Sequence, residues 1–293
     1  MNNKINVPLK ELTKLRKEIH KYPELAGEEK STAKRIISFA KRYNSDKIIL
    51  NIGGNGIAII FKGKEKGPTI LIRCELDALP IFEINKFNYR STNKNVSHKC
   101  GHDGHMAIVS GLIPLISKNK FKKGRVVLLY QPAEETGEGA EWILKDNKFK
   151  FVRPDFVFAL HNLPEFEKGE IVVREKEFAA ASKGMIIKLT GKTSHAAEPE
   201  RGINPALAVS DLISELIALP KKIKSIKDFS LVTIIHSKIG ERAFGTSPGY
   251  AEVMATLRSF KNKDMNLLTD NAIKKTKAIA KKHKLKCKIE FTE

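Results

Sequence analysis

The run GHMAIVSGLIPLI at residues 104–116, followed by RVVLLY at 125–130, decides the fold class of this chain. Together with residues 137–144 and 155–160, these segments read in turn as helix, strand, helix and strand. Such alternation implies an α/β architecture: a helix-flanked, mostly parallel sheet with functional residues at the strand ends. Toward the N-terminus, Leu9, Leu12, Leu15 and Ile19 recur at spacings of three and four after Pro8, an amphipathic helix over residues 8–20. Residues 28–43 repeat the pattern through Ala33, Ile36, Ile37 and Ala40, and the short apolar runs at 57–61 and 69–72 read as strands.

Toward the C-terminus a second unit begins near Ala181. Residues 185–189 read as a strand, 203–219 as a helix with Pro205 in its first turn, 231–239 and 252–260 as strands, 267–283 as a helix and 285–291 as a last strand. The order β-α-β-β-α-β is that of a ferredoxin-like α+β sandwich, a small domain able to cover a neighbouring cleft. The expected division is a larger domain over residues 1–180 and a small lid domain over 181–293. A chain of 293 residues exceeds the usual size of one hydrophobic core, which agrees with two domains.

Composition narrows the class further. With 41% hydrophobic and 29% charged residues the chain can build buried cores, which excludes a disordered protein. The first ten residues hold no signal-peptide core and the apolar runs elsewhere are far below spanning length, so a cytoplasmic protein without a membrane partner is expected. Cys74, Cys100 and Cys287 are odd in number and far apart, which argues against a disulfide framework. The net charge of +20 raises the question of nucleic acid, yet the lysines are scattered over 118–123, 221–227 and 274–288 with no aromatic-interleaved platform. A solvated lysine-rich surface is expected, with no nucleic-acid partner.

The densest chemistry is KCGHDGH at 99–105, with a thiol, two imidazoles and a carboxylate within six positions at a loop-to-helix junction. Cys100 and His102 lie two apart, so in an extended segment both side chains point to one side and can converge on one ion. The bland reading, a helix start capped by Asp103, explains one residue of the group. QPAEE at 131–135 places Glu134 and Glu135 at a strand end, where one can bind an ion while the other faces the reacting water; acids opening a helix are the bland alternative. Glu75 and Asp77 follow one strand, His161 and Asn162 another, so all four collect at the same carboxyl edge.

The strings RCELDALP, CGHDGH, QPAEE, ALHN and GKTSHAAEP, in this order and spacing, resemble the co-catalytic metallopeptidase family of aminoacylases and carboxypeptidases. The branch they are most similar to is that of hippurate hydrolases, auxin-conjugate amidohydrolases and N-acetyldiaminopimelate deacetylases. The resemblance implies hydrolysis of the amide bond of small N-acylated amino acids, with up to two divalent ions (zinc, manganese, cobalt or nickel) held by Cys100, His102, Glu135 and His161. It implies Glu134 as general acid/base and Asp77 as the residue that orients a ligand; Glu75 stands where the branch carries aspartate. His195 of the inserted small domain would reach the oxyanion, Arg258 would hold the substrate carboxylate, and Asn162 would be a further substrate contact.

A homodimer through the small domain is implied as well. Two departures accompany the resemblance. GTSPG at 245–249 replaces the usual asparagine before Ile-Pro, and the chain ends at Glu293 where the family returns to the catalytic domain and supplies a last histidine. One ligand shell is therefore expected to lack a donor, and a catalytically incomplete protein that binds through the same scaffold is the alternative reading.

Overall fold

A computed structural model of the chain describes residues 7–292. The described residues form two compact units that divide between Lys168 and Gly169. The first contains α1 (Leu9–Lys21), α2 (Lys30–Ala40), β1 (Lys47–Ile52), β2 (Gly56–Lys62), β3 (Glu65–Glu75), α3 (His102–Lys118), β4 (Lys123–Gln131), α4 (Gly139–Lys145) and β5 (Phe156–Ala159). Its five strands lie in the order β1-β2-β4-β3-β5.

The sheet is mixed rather than mostly parallel. β3 pairs in parallel with β4 and β5, whereas β2 runs antiparallel to both β1 and β4. Only Gly63 and Lys64 separate β2 from β3, too short for a crossover, so β2 runs opposite to β3 and β4, and residues 47–52 add a strand beyond those read from the sequence: a turn through Gly53 (φ 61°) and Gly54 (φ 99°) folds β1 back on β2 as a hairpin. α1 and α2 precede the hairpin, so no helix crosses over between its strands.

Alternation along β4 explains its unbroken apolar run at residues 126–130. Leu128 and Tyr130 face a core shared with Leu12, Leu15 and Ile19 of α1, Ile36 of α2 and Val109 of α3, while Val127 and Leu129 face a second core with Ile143 and Val152. A central strand covered on both faces has no solvent side on which to place polar residues. β5, at the sheet edge, is different: Phe156, Val157 and Phe158 are each more than half exposed.

The second unit holds β6 (Ala181–Thr190), β7 (Ser194–His195), α5 (Ala206–Lys222), β8 (Ser230–Ile239), β9 (Thr246–Ser247), β10 (Tyr250–Ser259), α6 (Asn262–Lys282) and β11 (Lys286–Thr292). Its main sheet runs β11-β6-β10-β8, antiparallel at every pairing. Met185, Ile187 and Leu189 of β6 bury one face against Leu212 and Leu216 of α5 and Leu268 and Ala272 of α6. Among the described residues, no helix is long and apolar enough to cross a membrane.

α1 is joined to α3 by charge as well as by apolar packing. Arg16 Nε donates to Asp103 Oδ2 at 2.9 Å, and His20 places Nδ1 3.0 Å from the same oxygen and Nε2 3.1 Å from Glu83 Oε2. Lys99 and His98 complete the charged and titratable surroundings. Burial opposes a charge on His20, but Asp103 and then Glu83 hold its proton, and its pKa rises above the ordinary 6.5. A group that keeps its proton longer in the folded state contributes stability in full below its unfolded pKa and loses it as pH rises through the folded one. Thermal unfolding is therefore expected to show a midpoint that declines as pH rises above about 6.5, with a smaller decline in His20→Gln. Equal declines in both proteins would contradict this account.

Candidate metal centre

The carboxyl ends of β3, β4 and β5 bring the chemically dense segments together. Glu75 closes β3, Gln131 closes β4 just before Glu134 and Glu135, and His161 and Asn162 follow β5. Cys100 stands two residues before His102, the first residue of α3. The two are not in an extended segment. Gly101 between them has φ 101°, and this left-handed turn, rather than strand alternation, brings thiol and imidazole round to the same point. Asp103 makes no capping hydrogen bond to α3 and is turned instead toward α1.

His102 is the hub. Its ring is fully buried, and Nδ1 donates to the Asp77 carbonyl at 2.9 Å, which leaves Nε2 pointing at Glu134 Oε2 (3.6 Å) and Glu135 Oε1 (3.7 Å). Cys100 Sγ lies 3.3 Å from His161 Nε2, whose other ring nitrogen donates to the Asn162 carbonyl at 2.8 Å. Ligand atoms of Cys100, His102 and His161 fall within 4.8 Å of one another, as do those of His102, Glu134 and Glu135, and those of Glu75, His102 and His105. His102 is common to all three groups.

Two features test whether a divalent ion fits. Bonds of about 2.0–2.3 Å to nitrogen, oxygen or sulfur put two ligands of one ion roughly 3–4 Å apart, the range in which these atoms stand. His102 Nε2 and Glu135 Oε1 are also buried without a hydrogen-bond partner while facing each other. Buried polar atoms are nearly always paired, and a divalent cation between these two would satisfy both. The donor set of thiolate, imidazole and carboxylate suits zinc and its neighbours.

The electrostatics agree. Burial works against a charge on His102, but Asp77, Cys100 and Glu75 raise its pKa to about 11. Surroundings that hold a proton so firmly also favour a metal cation in its place. Glu135 is pushed up by burial and by the Glu134 and Asp77 charges, a cost that a bound cation removes. Asp77 is buried yet held below the ordinary carboxylate range by His102 and by the Glu135 backbone N–H, which donates to Oδ2 at 2.8 Å. It thereby orients the His102 ring and the backbone of Glu135.

Glu75 groups with His102 and His105 rather than with Glu134 and Glu135. Despite its burial, His105 and Arg73 hold it below the usual range, with His105 Nδ1 at 2.8 Å and Arg73 Nη1 at 2.7 Å. His105 Nε2 reaches Asn162 on the far side, accepting from its backbone N–H at 3.0 Å. The Asn162 side chain packs against Gly101, where an added Cβ would lie 2.2 Å from Oδ1. Gly101→Ala is therefore expected to cost at least about 1–3 kcal/mol of stability from backbone strain, and to lower metal content by driving the two ligand segments apart. Urea unfolding and metal analysis of the purified variant check both, and unchanged values would show that the turn relaxes freely.

Residues 71–291 match the peptidase family M20/M25/M40. The chain belongs to this family. It is similar to an N-acetyldiaminopimelate deacetylase of Priestia megaterium, 31% identical over 80% of this chain and 64% of that protein. It is also similar to the hippurate hydrolase of Campylobacter jejuni, 29% identical over 95% of this chain and 72% of that one. A dinuclear metal-binding M20 peptidase of Bacillus subtilis superposes with a TM-score of 0.74 at 26% identity, over 96% of this chain and 73% of that chain. The chain thus spans about two thirds to three quarters of the length of these relatives. Family membership makes it a metal-dependent amidohydrolase by class.

The remaining sequence-derived residues lie in the second unit. His195 ends β7, where it pairs with Thr246 of β9, so the GTSPG segment runs directly beside it. Arg258 is exposed on β10 between Ser182 and Leu231. Sequence reasoning missed Glu29, a fully buried carboxylate that accepts from the N–H of Ala133 at 2.9 Å and from Asn55 at 2.8 Å. It pins the turn, with Ala133 at φ 48°, that presents Glu134. One acid of the GEE triplet at 27–29 carries no local signal of burial.

Proposed function

We propose that this chain hydrolyses the amide bond of small N-acylated amino acids, with divalent ions held by Cys100, His102, Glu135 and His161. The observation that carries the reading is the convergence of these donors on the orphaned Nε2 of His102. A divalent ion held by these residues would supply polarisation of the amide carbonyl and a lowered pKa for water. Glu134 is the more open of the two acids, 36% exposed at its side chain against 18% for Glu135. Glu134 takes the proton from the attacking water and gives it to the leaving nitrogen as the C–N bond breaks, so it ends the cycle as it began. Glu135, fastened through its backbone to Asp77, keeps the ligand role.

In this reading the second unit is an inserted ferredoxin-like domain, in keeping with its strand order, and it supports a homodimer in the cytoplasm. His195 serves the oxyanion and Arg258 the substrate carboxylate, while Asn162 contacts substrate next to the ligand His161. The relatives named for a diaminopimelate derivative and for hippurate support N-acyl amino acids as the substrate class. The test is a panel of N-acetyl, N-benzoyl and N-acetyldiaminopimelate substrates, assayed with zinc, manganese, cobalt and nickel in turn. Release of the free amino acid from at least one, abolished by chelator, is the expected result. Metal binding without hydrolysis of any of them would turn the reading toward a non-catalytic binding protein.

A further inference from the structure

We propose that His20 is a positioning residue for the metal-binding loop: bridging Asp103 and Glu83, it clamps both ends of the tripeptide Cys100-Gly101-His102 to α1. The inference rests on the reading that Cys100 and His102 are ligands. His20 Nδ1 stands 3.0 Å from Asp103 Oδ2, and Nε2 stands 3.1 Å and 3.3 Å from the two oxygens of Glu83. A carboxylate only accepts, so both ring nitrogens must donate and the ring is an imidazolium. All three residues are buried, and the rings of Phe87 and Tyr89 meet the imidazole edge-on and fix its plane.

The tie runs to each side of the ligands. Asp103 follows His102 directly and also receives Arg16. Lys99 precedes Cys100 directly and donates to Glu83, which accepts from the Ser91 N–H at 2.7 Å as well. The centre of the loop is a left-handed glycine with no side chain, held by the Gly104 and His105 N–H groups on its carbonyl and by Asn162 packed against it, so side-chain anchors must come from its flanks. Two charge-assisted anchors on the same imidazolium therefore set where the thiol and the His102 ring stand relative to the ends of β3, β4 and β5. A ligand set must be held closely in place by partners of this kind, and loss of an outer partner typically weakens metal binding by about 10–100-fold.

The experiment uses the whole chain with cobalt(II) as the probe. Affinity is read by competition with a chelator, and the Cys100 bond by the thiolate-to-cobalt charge-transfer band. His20→Gln is expected to lower the affinity by about 10-fold or more and to weaken the band. Lys99→Met, which cuts the other anchor and leaves His20 in place, is expected to act in the same direction. The double variant should lose less than the product of the two, since both act through one clamp. Leu216→Ala, in the core of the second unit, serves as a control that loses stability without touching the clamp and should keep affinity and band. Should His20→Gln fail to fold, Lys99→Met carries the test. An unchanged affinity and band in folded His20→Gln or in Lys99→Met overturns the clamp. If the unaltered protein shows no thiolate band, or Cys100→Ser keeps it, the ligand assignment fails and the clamp falls with it.

Discussion

Glu134→Gln is expected to retain its metal and to lose turnover by about 10²- to 10⁴-fold, the usual consequence of removing a general acid/base. The amide has nearly the same shape and can still accept a hydrogen bond, but it cannot take a proton from water and return it to nitrogen. Glu134 is the more exposed of the two adjacent acids, and Glu135 is the one whose buried oxygen is orphaned against His102. Steady-state kinetics alongside metal analysis separate the two roles. Near-normal turnover would move the proton-transfer role to another residue, and loss of metal would make Glu134 a ligand.

Cys100→Ser is expected to do the reverse, with metal content falling first and turnover following it. The thiol stands 3.3 Å from His161 Nε2, and its ligand atom groups with those of His102 and His161. A serine hydroxyl keeps its proton at neutral pH and is a far poorer ligand than a thiolate. The affinity loss should exceed the roughly 10–100-fold typical of removing an outer contact, because here a donor itself is gone. Metal per subunit after extensive dialysis gives the answer. Unchanged stoichiometry would remove Cys100 from the ligand set and leave two groups around that imidazole, His102 with Glu134 and Glu135 and His102 with Glu75 and His105.

Much of the architecture was legible along the chain because helices and strands announce themselves locally. The three-and-four spacing of Leu12, Leu15 and Ile19 is a helix face, and those residues are buried on α1. The unbroken apolar run of β4 is a strand covered on both faces. β1 was not legible. KIILNI at residues 47–52 is short, and its antiparallel pairing with β2 depends on the glycine turn between them; the mixed character of the sheet follows from the pairing of β2 with β4, which only the fold decides. The approach to α3 is not legible for a related reason: one left-handed residue at Gly101, where the spacing of Cys100 and His102 suggests an extended segment, changes where its neighbours point, and sequence spacing does not reveal a positive φ.

The sequence by itself determined the kinds of donor, their order and their places at strand ends, because residue chemistry and backbone periodicity are written locally. It also determined the family, through motifs whose spacing follows from that order. Only the tertiary structure decided which donors meet. His102 became the centre because the ends of β3 and β4 and the turn at Gly101 aim Asp77, Glu135 and Cys100 at one imidazole. His20, Glu29 and Glu83 acquired roles because packing buried them against partners dozens of residues away. A buried charge is stable only beside its complement, and that complement is supplied by long-range packing that no local stretch of sequence encodes.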